Sequence, residues 1–156
     1  LFISSSTERH NYRYHFLQGQ LMKTINMKNF GGLTYITIVN IPVKESEFGD
    51  VIDMKPRELE SLAAQAIIEH NIPIRGAEFR IIKSAIDLSN EAIGELIGVS
   101  RNTVLKWGKN TEDQIPLSSE MLLRLLTAEK LGIKIDLRIE KLKESSSKSN
   151  IKIKAT

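Results

Sequence analysis

Arg101, Asn102, Thr103 and Lys106 lie close together directly after a serine, Ser100. Arginine can hydrogen-bond guanine through two donors, and asparagine can pair with adenine in the same way. The cluster therefore suits the reading of base edges in a DNA major groove. Ser100 fits a helix N-cap, leaving first-turn amides free near the phosphates. From Ser100 to Asn110 three residues are basic, Arg101, Lys106 and Lys109, and none is acidic. Asn90, earlier in the chain, suits a phosphate contact or a brace for the reading helix. Leu105 is placed to meet a thymine methyl. The expected DNA-binding set is Asn90, Ser100, Arg101, Asn102, Thr103, Lys106 and Lys109.

These side chains need two short helices to hold them. Ser89 is expected to cap the first, with Ala92, Ile93, Leu96 and Ile97 facing inward. Gly98 takes the tight turn, since glycine accepts a positive φ without steric cost. Val99 fills the angle between the helices, and Val104 and Trp107 turn inward from the second. This is the layout of a helix-turn-helix. A helix over Gly76 to Ile86 precedes it, with Phe79, Ile82 and Ile86 inward. A polar loop from Thr111 to Pro116 follows. A further helix then starts at Ser118 or Ser119, buries Met121, Leu122, Leu125 and Leu126, and ends near Gly132. Residues 72–132 are expected to fold alone as a four- to five-helix DNA-binding domain.

Pro56 suits the first turn of a connecting helix over 56–71, with an apolar-leaning stripe of Leu59, Leu62, Ala63, Ala66, Ile67 and His70. Residues 22–55 read as a small antiparallel β unit. In it Leu33 to Ile41 pairs with Val51 to Met54 across a turn at Glu47 to Asp50. Tyr35, Val39, Phe48 and Ile52 are expected to pack this unit on the 56–70 helix. Residues 1–21 are expected to be a flexible N-terminal extension, with Met22 as the natural start. In the C-terminal extension, 133–156, the alternation of Ile133, Ile135, Leu137 and Ile139 fits a strand. A cap at Asp136 fits a helix through Leu142 and tips the reading that way. The Ser/Lys-rich stretch from Ser145 to Thr156 is expected to be disordered. The fold class expected is mainly α, with a small N-terminal antiparallel β unit.

Composition narrows the functions. The chain of 156 residues carries a formal charge of +3, mildly basic and compatible with nucleic acid. It has no cysteine, which excludes disulfides, iron–sulfur clusters and thiolate-bound zinc. No apolar run approaches the roughly 20 residues that cross a bilayer, and no signal-peptide core is present. A cytoplasmic protein without membrane contact is expected. His10, His15 and His70 lack metal-ligand spacing, and Gly31-Gly32 is an isolated pair rather than a phosphate loop. No metal, no cofactor and no enzymatic activity are expected.

Leu88 to Trp107 resembles the lambda-repressor-like (XRE, Cro-type) helix-turn-helix family nearly in register. That family runs leucine-serine-glutamine, an apolar helix, glycine-valine-serine, then arginine-polar-threonine-valine to an aromatic residue. Here Asn90 replaces the glutamine. Gly94 replaces a usual alanine and is expected to loosen its helix by roughly 1 kcal/mol. The wider layout is similar to MqsA-type antitoxins of type II toxin–antitoxin systems. These join an N-terminal zinc ribbon that meets the toxin to a C-terminal helix-turn-helix that dimerises on the operator. The run Val39 to Gly49 is similar to the ribbon's second knuckle, with Glu45 and Phe48 where cysteines would stand. Thr24 and Met27 occupy the places of the first pair, so the β unit is expected to be metal-free. The resemblance implies a transcriptional repressor and antitoxin. It would bind a pseudopalindromic double-stranded operator as a homodimer, with a cognate toxin as partner. The 56–70 helix and the segment after Leu122 are the candidate dimer surfaces. A stand-alone XRE-type phage or mobile-element regulator is one alternative. A protein-interaction adaptor that has lost DNA binding is the other.

Overall fold

The computed structural model describes residues 12–17, 19–136, 138 and 150–155. A five-stranded mixed sheet packs on a layer of helices. The strands are β1 (Arg13–Leu17), β2 (Gln20–Lys28), β3 (Ile36–Ser46), β4 (Gly49–Ile52) and β5 (Ile151–Lys154). The helices are α1 (Pro56–Glu69), α2 (Gly76–Ile86), α3 (Asn90–Ile97), α4 (Arg101–Lys109) and α5 (Leu117–Leu131). The fold is therefore α/β, not mainly α as composition and periodicity suggested.

β3 is the spine of the sheet. Its first half pairs with antiparallel β2 and with parallel β5, and its second half pairs with β4. The register between β2 and β3 slips between Ile25 and Met27, where β3 carries an extra residue. Asn40 takes that position with a φ of 61°, and its amide donates to the Asn26 side chain at 3.1 Å. Such a bulge bends and twists its strand, which lets β3 serve both halves of the sheet.

Ile25, Ile36, Ile38, Ile41, Val43 and Ile151 line the sheet's buried face. α1 covers this face with Leu59, Ala63 and Ile67 and also packs against α2 and α5. Its small alanines admit close neighbours. One continuous core runs from the sheet through α1 to Phe79, Ile93 and Val104 of the helices.

Both chain ends depart from expectation. Arg13–Leu17, within the segment expected to be flexible, is an edge strand paired with β2. Ile151–Lys154, within the segment expected to be disordered, is paired with β3. The alternation Ile151-Lys-Ile-Lys154 is itself a strand signal, submerged in Ser/Lys-rich surroundings. Ile133 to Asp136 form neither helix nor strand, and most of the 137–149 segment lies outside the described residues. The β unit is accordingly larger than 22–55, and its packing differs too. Tyr35 is buried and Ile52 packs against the core, but Phe48 is exposed at a hairpin tip.

The expected inward faces of two helices are also corrected. Leu96 of α3 and Leu122 and Leu125 of α5 are exposed. α5 buries Leu123, Leu126 and Thr127 together with Glu120 and Arg124. The face is rotated because Arg124 has partners in the interior. Its guanidinium donates to the Glu120 carboxylate in an ion pair at 2.7 Å, and also to the carbonyls of Ile68 (3.2 Å) and Ile72. These are carbonyls at and beyond the end of α1, which the helix itself leaves unbonded.

Candidate nucleic-acid interface

The two serines cap as their positions suggest. Ser89 Oγ accepts from the Ala92 amide and Ser100 Oγ accepts from the Thr103 amide, each at 3.1 Å. Gly98 closes α3 with a φ of 76°, in the left-handed region that favours glycine. The Val99 amide then donates to the Gly94 carbonyl at 2.9 Å, which sets the direction in which α4 leaves the turn.

Gly94 has a reason the sequence did not reveal. A Cβ there would lie 2.6 Å from the Val99 carbonyl oxygen. The absence of a side chain lets the turn fold back onto α3, so Gly94 tightens the motif where propensity alone suggested loosening.

α4 is fixed from behind. Val104 and Trp107 are buried, and Trp107 meets Phe79 of α2 edge-on with ring centroids 5.7 Å apart. Trp107 is therefore a packing residue. With that face anchored, Asn102, Lys106 and Lys109 lie exposed at i, i+4 and i+7 on one stripe. Arg101 is exposed beside them and pairs with Glu91 of α3 at 3.2 Å. That contact was not foreseen. Both partners are solvated, so the pair is weak, screened by salt and open to exchange for a phosphate or base. Thr103 is half-buried, its hydroxyl 2.9 Å from that of Ser100, so both serve the cap before any ligand. Asn90 is half-buried at the first position of α3.

The structure thus brings Arg101, Asn102, Lys106 and Lys109 to one exposed face, while Ser100 and Thr103 hold the helix start. The positions of the zinc-ribbon resemblance are scattered. Thr24 is buried on β2, its hydroxyl bonded to the Arg13 carbonyl, while Glu45 and Phe48 are exposed on the β3–β4 hairpin. Among the described residues no group of His, Asp and Glu is arranged to hold a metal ion. No described helix is long and apolar enough to cross a membrane.

No protein-family model, curated protein or solved structure matches this chain. Function has to be read from the chemistry of the site itself.

Proposed function

We propose that this protein is a sequence-specific DNA-binding transcriptional repressor acting in the cytoplasm as a homodimer. The observation that carries this reading is the exposed stripe of α4, capped by Ser100, set by the Gly98 turn and free of acidic residues. In the proposed mechanism α4 enters the major groove. Asn102 reads adenine, Arg101 leaves Glu91 to read guanine, and Lys106 and Lys109 meet acceptors on bases or phosphates. The first-turn amides of α4 face the backbone phosphates. One such helix spans only a few base pairs, so a dimer on a pseudopalindromic operator supplies the specificity.

The fuller form of the proposal makes the protein an antitoxin that autoregulates its operon. Its support is the order of the chain, with four of the five described strands ahead of the helix-turn-helix. A neighbouring gene for a toxic protein distinguishes this from a stand-alone regulator of the XRE type.

The test is fluorescence anisotropy with duplex DNA from the protein's own upstream region, measured across salt concentrations. Asn102→Ala with Lys106→Ala is expected to weaken binding at least tenfold and to flatten the salt slope. Unchanged affinity in that double variant overturns the assignment. Absence of any salt-dependent binding by the wild type favours an interaction adaptor instead.

A further inference from the structure

Phe48 is 83% exposed, the most exposed large apolar side chain among the described residues. It stands with Glu47 in the two-residue loop between β3 and β4. Such loops favour Asn, Asp and Gly, so an aromatic residue there has no turn-forming reason. The tip is held in one shape. The Ser46 hydroxyl donates to the Gly49 carbonyl at 2.6 Å and accepts from the Phe48 amide at 3.3 Å. Glu45 and Glu47 lie near Phe48 on the hairpin, both exposed and without an ion pair among the described residues. Glu45 also stands opposite Asp50 in the strand register, a like-charge arrangement that does not help the hairpin.

The same chain carries a groove of matching chemistry. Pro56, Leu88 and the stems of basic side chains line an open groove of about 760 Å³ between α1 and α2. Lys55, Arg80 and Lys83 bring three cations to it that form no ion pair among the described residues. Of the acids of the groove, Asp87 pairs with Arg57 at 2.9 Å and Glu60 accepts from the Ser84 hydroxyl at 2.6 Å but keeps its charge, so the lining carries four cations, Arg57 included, to two carboxylates.

We propose that two copies of this chain associate reciprocally, each seating Phe48, flanked by Glu45 and Glu47, in the Lys55–Arg80–Lys83 groove of the other. The proposal rests on the reading that the protein is a homodimer and names the surface. Charge selects the occupant. Two carboxylates meet three unpaired cations, and the acidic tip would be repelled by a DNA backbone. Every copy carries both tip and groove, so a two-fold arrangement closes on itself. An aromatic anchor in a pocket ringed by charges also has the form of an interface hot spot.

The test is sedimentation of the full chain without DNA, for wild type, Phe48→Ala, Arg80→Glu/Lys83→Glu, Glu45→Lys/Glu47→Lys and the two charge reversals combined. Circular dichroism checks the fold; these positions are at or near the surface, so it is expected to stay intact. Each of the first three variants is expected to raise the dimer dissociation constant at least tenfold, and the combination is expected to restore it. A wild-type dimer unaffected by Phe48→Ala overturns this surface while leaving the homodimer reading in place. A dimer broken by Leu122→Glu/Leu125→Glu but not by Phe48→Ala moves the interface to α5 and overturns it too. A strict monomer, with and without operator DNA, overturns both readings.

Discussion

Arg124 ties α5 to the end of α1. It is fully buried, paired with Glu120, and donates to carbonyls beyond α5 at the end of α1. Removing one partner of a buried ion pair leaves an uncompensated charge, so Arg124→Ala is expected to cost roughly 3–5 kcal/mol in urea unfolding. A loss below 1 kcal/mol would show that the α1 carbonyls are satisfied in another way. Gly94 makes a sharper case, because two effects oppose each other there. Alanine should stabilise an exposed helix by up to about 1 kcal/mol relative to glycine. At Gly94 the added Cβ meets the Val99 backbone oxygen at 2.6 Å, and backbone cannot move aside without shifting the turn. Gly94→Ala is therefore expected to lower the melting temperature and, on the proposed reading of α4, the affinity for DNA. A raised melting temperature would contradict the close approach.

At the scale of elements, the caps decide where α4 begins. Ser100→Ala removes the acceptor for the Thr103 amide and is expected to cost about 1 kcal/mol. Thermal unfolding checks it, and Ser100→Asp, which retains an acceptor, is expected to recover most of the loss. The bounds of α3 and α4 were legible because every signal is local: Ser89, Gly98 and Ser100 act on neighbours within a few positions. Pro56 at the head of α1 was legible for the same reason. The sheet was much less so. β5 finds its partner Ile36–Val39 across more than a hundred residues, and no local pattern reports that pairing. The buried face of α5 was misread because apolar spacing assigns Leu122 and Leu125 inward and has no means of expecting a buried arginine. Phe48 was read as core from its side chain alone, although its place in a two-residue loop leaves it nothing to pack on.

At the scale of the whole molecule, a buried polar contact joins sheet and helices in addition to the shared core. The hydroxyl of Tyr35, the residue just before β3, donates to Glu78 of α2 at 2.6 Å. Arg75 completes the group, its guanidinium 3.0 Å from the same carboxylate. A fragment of residues 72–132 loses the Tyr35 donor and the Ile68 carbonyl that Arg124 uses, so it should be far less stable than the full chain. The buried group also gives the intact protein a characteristic pH dependence. Burial pushes the Glu78 carboxyl up, but the bonds from Arg75 and Tyr35 outweigh it and hold the group below its usual range. A folded-state value below the unfolded one, which is about 4.3, contributes stability that is complete above that pH. It is lost as pH falls through the lower folded value. Tyr35 acts at the other end. Burial first, and then the Glu78 carboxylate, push its phenol far above the ordinary value of about 10. The unfolded chain then releases this proton while the folded chain keeps it, so stability declines as pH rises past that point. Tyr35→Phe keeps the ring in the core and removes only the hydroxyl. It is expected to cost about 1.5–3 kcal/mol at neutral pH, the range for a hydrogen bond to a charged group. It should also flatten the alkaline decline and move the acid transition to higher pH. Urea unfolding of both proteins between pH 3 and 11 measures all three effects. Parallel curves for wild type and Tyr35→Phe across that range would mean that the Tyr35–Glu78 contact does not join the sheet to the helices in solution.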